Sequence, residues 1–383
     1  MKARYNKMKR YFIVPLFLLL IAGCNDFLDL KPESTLPPAV FWQTKNDAGN
    51  WMAGVYNQMQ RTFQYNWYDW GEARSDNNDM QGTGNAQLVV GSNTFNSSES
   101  STNAIINWQQ LYVTILLCNT GIKYFPEMIA KDIDAASATY TDYLGQCYGM
   151  RALMYFYAVR VWGRVPLVID AIEDNKDPVQ FPRASIREIR DQIESDARRA
   201  IELLDPIGTD NTRKYYLTKD AMYALLTDFY ATFQEYNRVI EVSDTFALVS
   251  NCTWVANATD WKLLFTDPVN AQATENIFVM YWDYIEYGGG MGYATRLGSA
   301  ANTANYRINN RLFEKLFIRQ RTPANSDARW WHCFDSISYS STYNYNRLTN
   351  VKLGKCYTWD GRQFAYDATV QCGVKCRYTA MPK

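Results

Sequence analysis

The residues with the most obvious chemistry lie between Tyr65 and Asn96. This stretch begins Y-N-W-Y-D-W-G-E-A-R-S-D-N-N-D-M-Q-G-T-G-N and follows neither a helical nor a strand period. Trp67, Tyr68 and Trp70 could form an aromatic platform, and Arg74, Asp76, Asn77 and Asn78 could supply hydrogen bonds beside it. A loop of that length is more often functional than idle. Asp76–Asp79 has the look of a calcium loop, but its sixth position is Gln81 rather than Gly and no acid closes it, which excludes the ion. A second aromatic group, Trp282, Tyr284 and Tyr287, precedes the turn Gly288-Gly289-Gly290. Trp67 and Trp282 fit core positions as well as a platform, and Arg74 and Asp76 also suit an ion pair or a turn bond.

Cys24 carries chemistry of another kind. Residues 1–10 hold five basic side chains and no acid, residues 11–23 are an apolar run broken by Pro15, and Leu20-Ile21-Ala22-Gly23-Cys24 fits a lipobox. The pattern predicts a signal peptide over 1–23 and a mature chain beginning at an acylated Cys24, the alternative being an uncleaved anchor. Each buried acyl methylene contributes about 0.8 kcal/mol, so several chains on one sulfur anchor a protein durably.

Other chemistries are poorly supported. Of eight cysteines, Cys118 and Cys147 read as small buried hydrophobes, and Cys356, Cys372 and Cys376 could bridge in an oxidising space. One His, His332, without paired C-x-x-C spacing makes a poor zinc site or catalyst. No G-x-S-x-G, H-E-x-x-H or phosphate-binding Gly loop occurs, and no cofactor is implied. Two carboxylates would suffice for a glycosidase, but the usual glycosidase architectures do not fit this pattern.

The positioning elements read as mainly α. The chain has 383 residues, enough for one large or two ordinary domains. Losing residues 1–23 takes the formal charge from 0 to −5, which argues against nucleic acid. Aromatics reach 15%, with 28 Tyr and 12 Trp, more than a core alone requires. Asn25–Pro38 is an extended leader punctuated by Pro32, Pro37 and Pro38. From Thr44 the residues Ala48, Trp51, Met52, Val55, Tyr56 and Met59 form one helical face. Further helices are expected over Asn103–Glu127, ended by Pro126, and over Asp134–Val161, stopped by Gly163 and Pro166. Ser185-Ile186-Arg187-Glu188 is a capping box, followed by a stripe of Ile186, Ile189, Ile193, Ala197, Ala200, Ile201 and Leu204. Thr218 caps the next helix, and Tyr236–Leu248 forms another. Glu275–Tyr284 is expected as a buried strand, Ile285–Ala304 as loop and Arg311–Phe317 as a short helix. Paired helices with Ala200, Ala221 and Ala224 at their crossings suggest helical-repeat packing.

Taken together these residues resemble the SusD/RagB family of outer-membrane nutrient-binding lipoproteins. The resemblance rests on Cys24-Asn25-Asp26-Phe27-Leu28-Asp29-Leu30-Lys31-Pro32, Phe41-Trp42, Gly54-Val55-Tyr56, Trp108-Gln109-Gln110-Leu111-Tyr112 and Asn119. Its most specific block is Arg151-Ala152-Leu153-Met154-Tyr155-Phe156 with Trp162-Gly163-Arg164-Val165-Pro166-Leu167. Leu217-Thr218-Lys219-Asp220-Ala221, Ala224-Leu225-Leu226 and Asp327-Ala328-Arg329 follow. The resemblance implies a mainly α, TPR-like helical-repeat scaffold over 44–383, behind a lipidated leader at 24–43, with long ligand-binding loops and minor β. It also implies a protein that captures an oligosaccharide, or another nutrient, and passes it to a SusC-like TonB-dependent transporter. Trp67, Tyr68 and Trp70 would then stack on sugar C–H faces while Arg74, Asp76, Asn77 and Asn78 bind hydroxyls. Trp282, Tyr284 and Tyr287 would add a second contribution. Family members continue into a helical segment of R-Y-A-D-x-L-L-x-Y-A-E type with no match here, which predicts an incomplete C-terminal scaffold. Two alternatives stand beside it: a scaffold lipoprotein that binds no nutrient and, less well matched to a helical pattern, an anchored glycosidase.

Overall fold

The computed structural model describes residues 41–64, 66–77, 89–90, 92–93, 105–173, 180–206, 212–256, 264 and 275–280, and the backbone of 78–80, 103–104, 211, 306–308, 358–359 and 364–365. Cys24, Trp282, Tyr284, Tyr287, Gly288-Gly289-Gly290, His332, Cys356, Cys372 and Cys376 lie outside them, as does the expected helix Arg311–Phe317.

Helix α1 (Lys45–Phe63) starts where its sequence dictates. Thr44 Oγ1 accepts from the Asp47 amide, and Asp47 Oδ2 accepts from the Thr44 amide at 2.8 Å, a reciprocal cap. Ala48, Met52, Val55, Met59 and Phe63 are buried at the expected three- and four-residue steps. Two short helices follow, α2 (Asn66–Trp70) and α3 (Asn103–Ile106).

Helix α4 (Gln109–Lys131) departs from expectation at both ends. Asn107 and Trp108 separate it from α3, and it runs through Pro126 to a left-handed Asp132 (φ 45°). A proline inside a helix costs about 3 kcal/mol. Phe125 and Met128, both buried on the seam beyond Cys118 and Gly121, hold the last turn in place against that cost. Helix α5 (Ser137–Trp162) begins three residues later than expected, because Asp132, Asp134 and Ala135 all take positive φ and break the chain first.

Helix α5 is the axis of the molecule. Tyr140, Leu144, Cys147, Met150, Leu153, Met154, Tyr155 and Phe156 point in several directions and all are buried. Flanking it are α4 and α6 (Ile186–Leu203), with α7 (Lys219–Thr232) touching it more lightly. The remaining neighbours are α1 on α4, α6 on α7, and α7 on α8 (Tyr236–Val249), the serial pattern of a helical-repeat array.

The Ser185–Glu188 capping box opens α6 as expected, and Ile189, Ile193, Ala197, Ala200 and Leu204 are buried. Ile186 is not: it is 44% exposed, at the first residue of the helix. Thr218 caps α7 through the Ala221 amide, and Met222, Leu225, Leu226 and Phe229 are buried. Strand structure is slight. β1 (Asn78–Met80) pairs antiparallel with β2 (Tyr306–Ile308), and β3 (Thr358–Trp359) with β4 (Phe364–Ala365). Glu275–Met280 is buried irregular chain, not the expected strand. The Val279 amide donates to the backbone oxygen of Lys214 at 2.7 Å, in the 3-10 turn Asn211–Tyr215 rather than a neighbouring strand.

Candidate ligand-binding site

The stretch after α1 is not one open loop. Asn66–Trp70 winds into α2, and this reverses the role expected of its aromatics. Trp70 is buried, donates its indole N–H to Ile105 O at 2.7 Å, and lies edge-on to Trp162 with ring centroids 5.1 Å apart. Tyr68 is buried with it. Trp70 also meets Phe63 at the end of α1 edge-on, with centroids 6.4 Å apart, so Tyr68 and Trp70 are core, not a stacking platform. Apolar rings this large are drawn under cover wherever helix ends leave a gap. Trp67 is half-buried, its Nε1 donating to Tyr157 Oη at 3.0 Å, so only part of its ring meets water.

The polar half of the stretch does reach the surface. After Gly71, a 3-10 turn (Glu72–Arg74) leads into exposed Asp76 and Asn77. Glu72 organises this ridge: its backbone oxygen accepts from Ser75 Oγ at 2.8 Å, and its carboxylate accepts from Asn77 Nδ2 at 2.7 Å. Arg74 is exposed, and its Nε donates to Asn93 Oδ1 at 2.9 Å. Asn78 opens β1, its backbone in register with Ile308. The ridge is therefore held at one end by buried Trp70 and at the other by the β1–β2 ladder. Amide, carboxylate and guanidinium groups held on such a support can recognise hydroxyl edges. Sequence reasoning missed Glu72 and Asn93. The signal for Asn93 was its turn composition, Gly91-Ser92-Asn93, where Asn tolerates the left-handed φ of 54°.

A cluster next to the ridge was also not anticipated as a unit. Trp108 and Trp162 are half-buried with centroids 5.9 Å apart, and the Arg183 guanidinium sits 5.2 Å over the Trp108 ring. Trp162 Nε1 donates to Ile106 O at 3.0 Å. Arg164 reaches back to Ala184 O at 3.3 Å, so the chain leaving α5 and the chain entering α6 are tied together.

Behind this cluster, segment 164–170 is fastened to the helices. Tyr112 Oη donates to Pro166 O at 2.5 Å, and Tyr155 Oη bonds both Val168 O at 2.9 Å and the Val168 amide at 2.6 Å. Burial pushes the phenols of Tyr112 and Tyr155 well above the ordinary tyrosine range, so both stay protonated. Asn119 Nδ2 donates to Val168 O and Asp170 O at 3.0 Å each, and Arg151 Nη1 to Ile169 O at 2.9 Å. Asn119, Arg151, Tyr155 and Trp162 each hold a specific partner, and they fall in the blocks that carried the sequence resemblance.

A family model described as "Starch-binding associating with outer membrane", SusD-like, matches residues 26–231, more than half of the chain. The chain belongs to the SusD-like family. It is 28% identical over 293 residues to SusD-like protein P38 of Formosa agariphila, covering 74% of this chain and 55% of that protein. A SusD-like protein of Bacteroides ovatus is 28% identical over 182 residues, 45% of this chain and 30% of the relative. The chain thus spans about half or less of the length of these relatives. Among solved structures, a SusD superfamily protein of Bacteroides thetaiotaomicron superposes with a TM-score of 0.66 at 20% identity, covering 82% of this chain and 70% of the other. A laminarin-binding SusD-like protein superposes with a TM-score of 0.56 at 19% identity, covering 67% and 57%. The helical-repeat architecture is that of SusD superfamily structures. No helix among the described residues of this SusD-like chain is long and apolar enough to cross a membrane.

Proposed function

We propose that the chain is a cell-surface lipoprotein, tethered to the outer membrane through acylated Cys24. It captures an oligosaccharide and delivers it to a SusC-like TonB-dependent transporter without turning it over. The observation that carries the binding step is the anchored polar ridge of Arg74, Asp76 and Asn77, beside half-buried Trp67. A laminarin-binding neighbour of the same fold supports a glycan as the ligand class. Stacking falls to Trp67, with Trp282, Tyr284 and Tyr287 as further candidates. Asn78, whose backbone opens β1, is a further candidate for a hydroxyl partner. The lipobox supports the tether, since acyl chains on one sulfur hold a protein to a bilayer with no spanning segment.

The test uses the mature full-length chain, isothermal titration and a panel of oligosaccharides that includes laminarin fragments. One panel member is expected to bind in the micromolar to millimolar range without product release. Asp76→Ala with Asn77→Ala should weaken it at least tenfold at unchanged thermal stability. A panel on which nothing binds and nothing stabilises the protein favours the scaffold reading, and release of shorter sugars favours the glycosidase.

A further inference from the structure

Arg164 and Arg183 place two exposed cations on one edge, beside the half-buried pair Trp108 and Trp162. The backbone that carries them is fixed. Arg183 forms an antiparallel bridge with Pro166, and the Ala184 amide donates to Val165 O at 2.9 Å. Arg164 lies against the same turn, its Nε donating to Ala184 O at 3.3 Å and its Nη2 to Arg183 O at 3.4 Å. The Arg183 guanidinium rests 5.2 Å over the Trp108 ring, which holds the side chain in place without using its hydrogen-bond donors. Every arginine of α5 and α6 pairs with a carboxylate. Among the described residues, neither Arg164 nor Arg183 does. Glu188 is within electrostatic reach of Arg164, but its carboxylate is committed to the Ser185 hydroxyl at 2.6 Å and the Ser185 amide at 2.7 Å. Residues 24–383 carry five more acids than bases, so this edge runs against the charge of the body.

We propose that the Arg164–Arg183 edge is a subsite for the acidic group of a charged glycan, a uronate carboxylate or a sulfate ester. The inference rests on the glycan-capture reading and narrows its ligand class. Two like charges held together without a counterion repel each other, and an oxyanion seated between them relieves that cost. A guanidinium presents paired N–H donors that match the oxygens of a carboxylate or sulfate, and such charge-assisted bonds are the strong ones. Because the bridge to Pro166 and the Trp108 ring already hold Arg183, little side-chain freedom is lost on binding. The exposed parts of Trp108 and Trp162 give the sugar ring an apolar surface next to its charge.

The test titrates the mature full-length chain with matched pairs of oligosaccharides. One arm compares oligogalacturonates with their methyl esters, and the other compares sulfated galactan oligomers with the same oligomers desulfated. In one arm the charged member should bind about tenfold or more tighter than its neutral counterpart. That advantage should shrink as salt is raised. Arg183→Gln should abolish most of it with little change in melting temperature, and Arg183→Lys should keep part of it. Arg187→Gln, on the exposed start of α6 and paired with Asp191, should keep all of it. The arm that responds tells uronate from sulfate. Charged and neutral members binding alike, or neutral glycans binding alone, would overturn the anionic subsite and leave glycan capture standing. An advantage that survives in Arg183→Gln combined with Arg164→Gln would do the same. Silence across both arms and across neutral glycans would overturn the two readings together.

Discussion

Arg151 on α5 and Asp196 on α6 meet in two parallel hydrogen bonds, Nε to Oδ2 at 2.8 Å and Nη2 to Oδ1 at 2.7 Å, with side chains only 5% and 2% exposed. The guanidinium also reaches Asn119 Oδ1 at 2.9 Å and Ile169 O, and Gln192 donates to Asp196 Oδ1 at 2.9 Å. One cation thus joins α4, α5, α6 and segment 164–170. Arg151→Ala strands a buried carboxylate and several acceptors, so it should destabilise the fold by about 3–5 kcal/mol. Urea unfolding followed by circular dichroism would read this, and an unchanged midpoint would refute it.

Trp70 and Asp76 should behave as opposites, although they sit six residues apart. Trp70→Ala removes a buried ring and its indole bond, and should cost about 3–5 kcal/mol. Asp76→Ala alters an exposed side chain and should change stability by less than about 0.5 kcal/mol. Thermal melts of the two variants would separate core from ridge. A stable Trp70→Ala protein with impaired glycan binding would restore the tryptophan to the platform.

Gly121→Ala gains about 1 kcal/mol of helix propensity yet should be net destabilising by about 1–3 kcal/mol. The added Cβ meets Cys147 Sγ at 2.6 Å and the Phe125 ring at 3.1 Å. Combining it with Cys147→Ala should recover part of the loss. Additivity in that double-mutant cycle would show that the two positions do not touch.

The two capping boxes give a pH dependence of known sign. The Ser185 hydroxyl and amide hold the Glu188 carboxyl below its ordinary value, and Thr44 does the same for Asp47. A depressed folded pKa contributes stability that is fully present above the unfolded value and is lost on acidification. The contribution from these caps should therefore fade as pH falls from about 5 through the ordinary carboxyl range to the depressed values beneath it. Glu188→Gln should be less stable than wild type at pH 7, and the difference should shrink as acid protonates the Glu188 carboxyl, as melts across a falling pH series would show.

The helices were legible because their signals are local. Ser185 and Thr218 cap where predicted, Thr44 caps where the helical pattern begins, and Ile189, Ile193, Ala197 and Ala200 repeat at a step that only a helix can bury on one side. Pro126 misled because a local cost was outweighed by the burial of Phe125 and Met128, contacts that the nearby sequence cannot announce. The candidate site was half legible. Asp76 and Asn77 are polar and lie in a turn, and they are exposed. Tyr68 and Trp70 are aromatic in the same stretch, and composition does not distinguish a ring that stacks on a ligand from one that packs under α5.

The sequence by itself determined the helical periods, the caps, the lipobox pattern and the blocks that mark the family, since each depends on residues within a few positions of one another. Only the tertiary structure decided that Arg151 faces Asp196 across 45 residues, that Gly121 meets Cys147, and that Trp70 turns inward while Arg74 turns to Asn93. Those outcomes depend on which helix surfaces are already occupied when a side chain arrives, and that competition for buried space has no local trace in the chain.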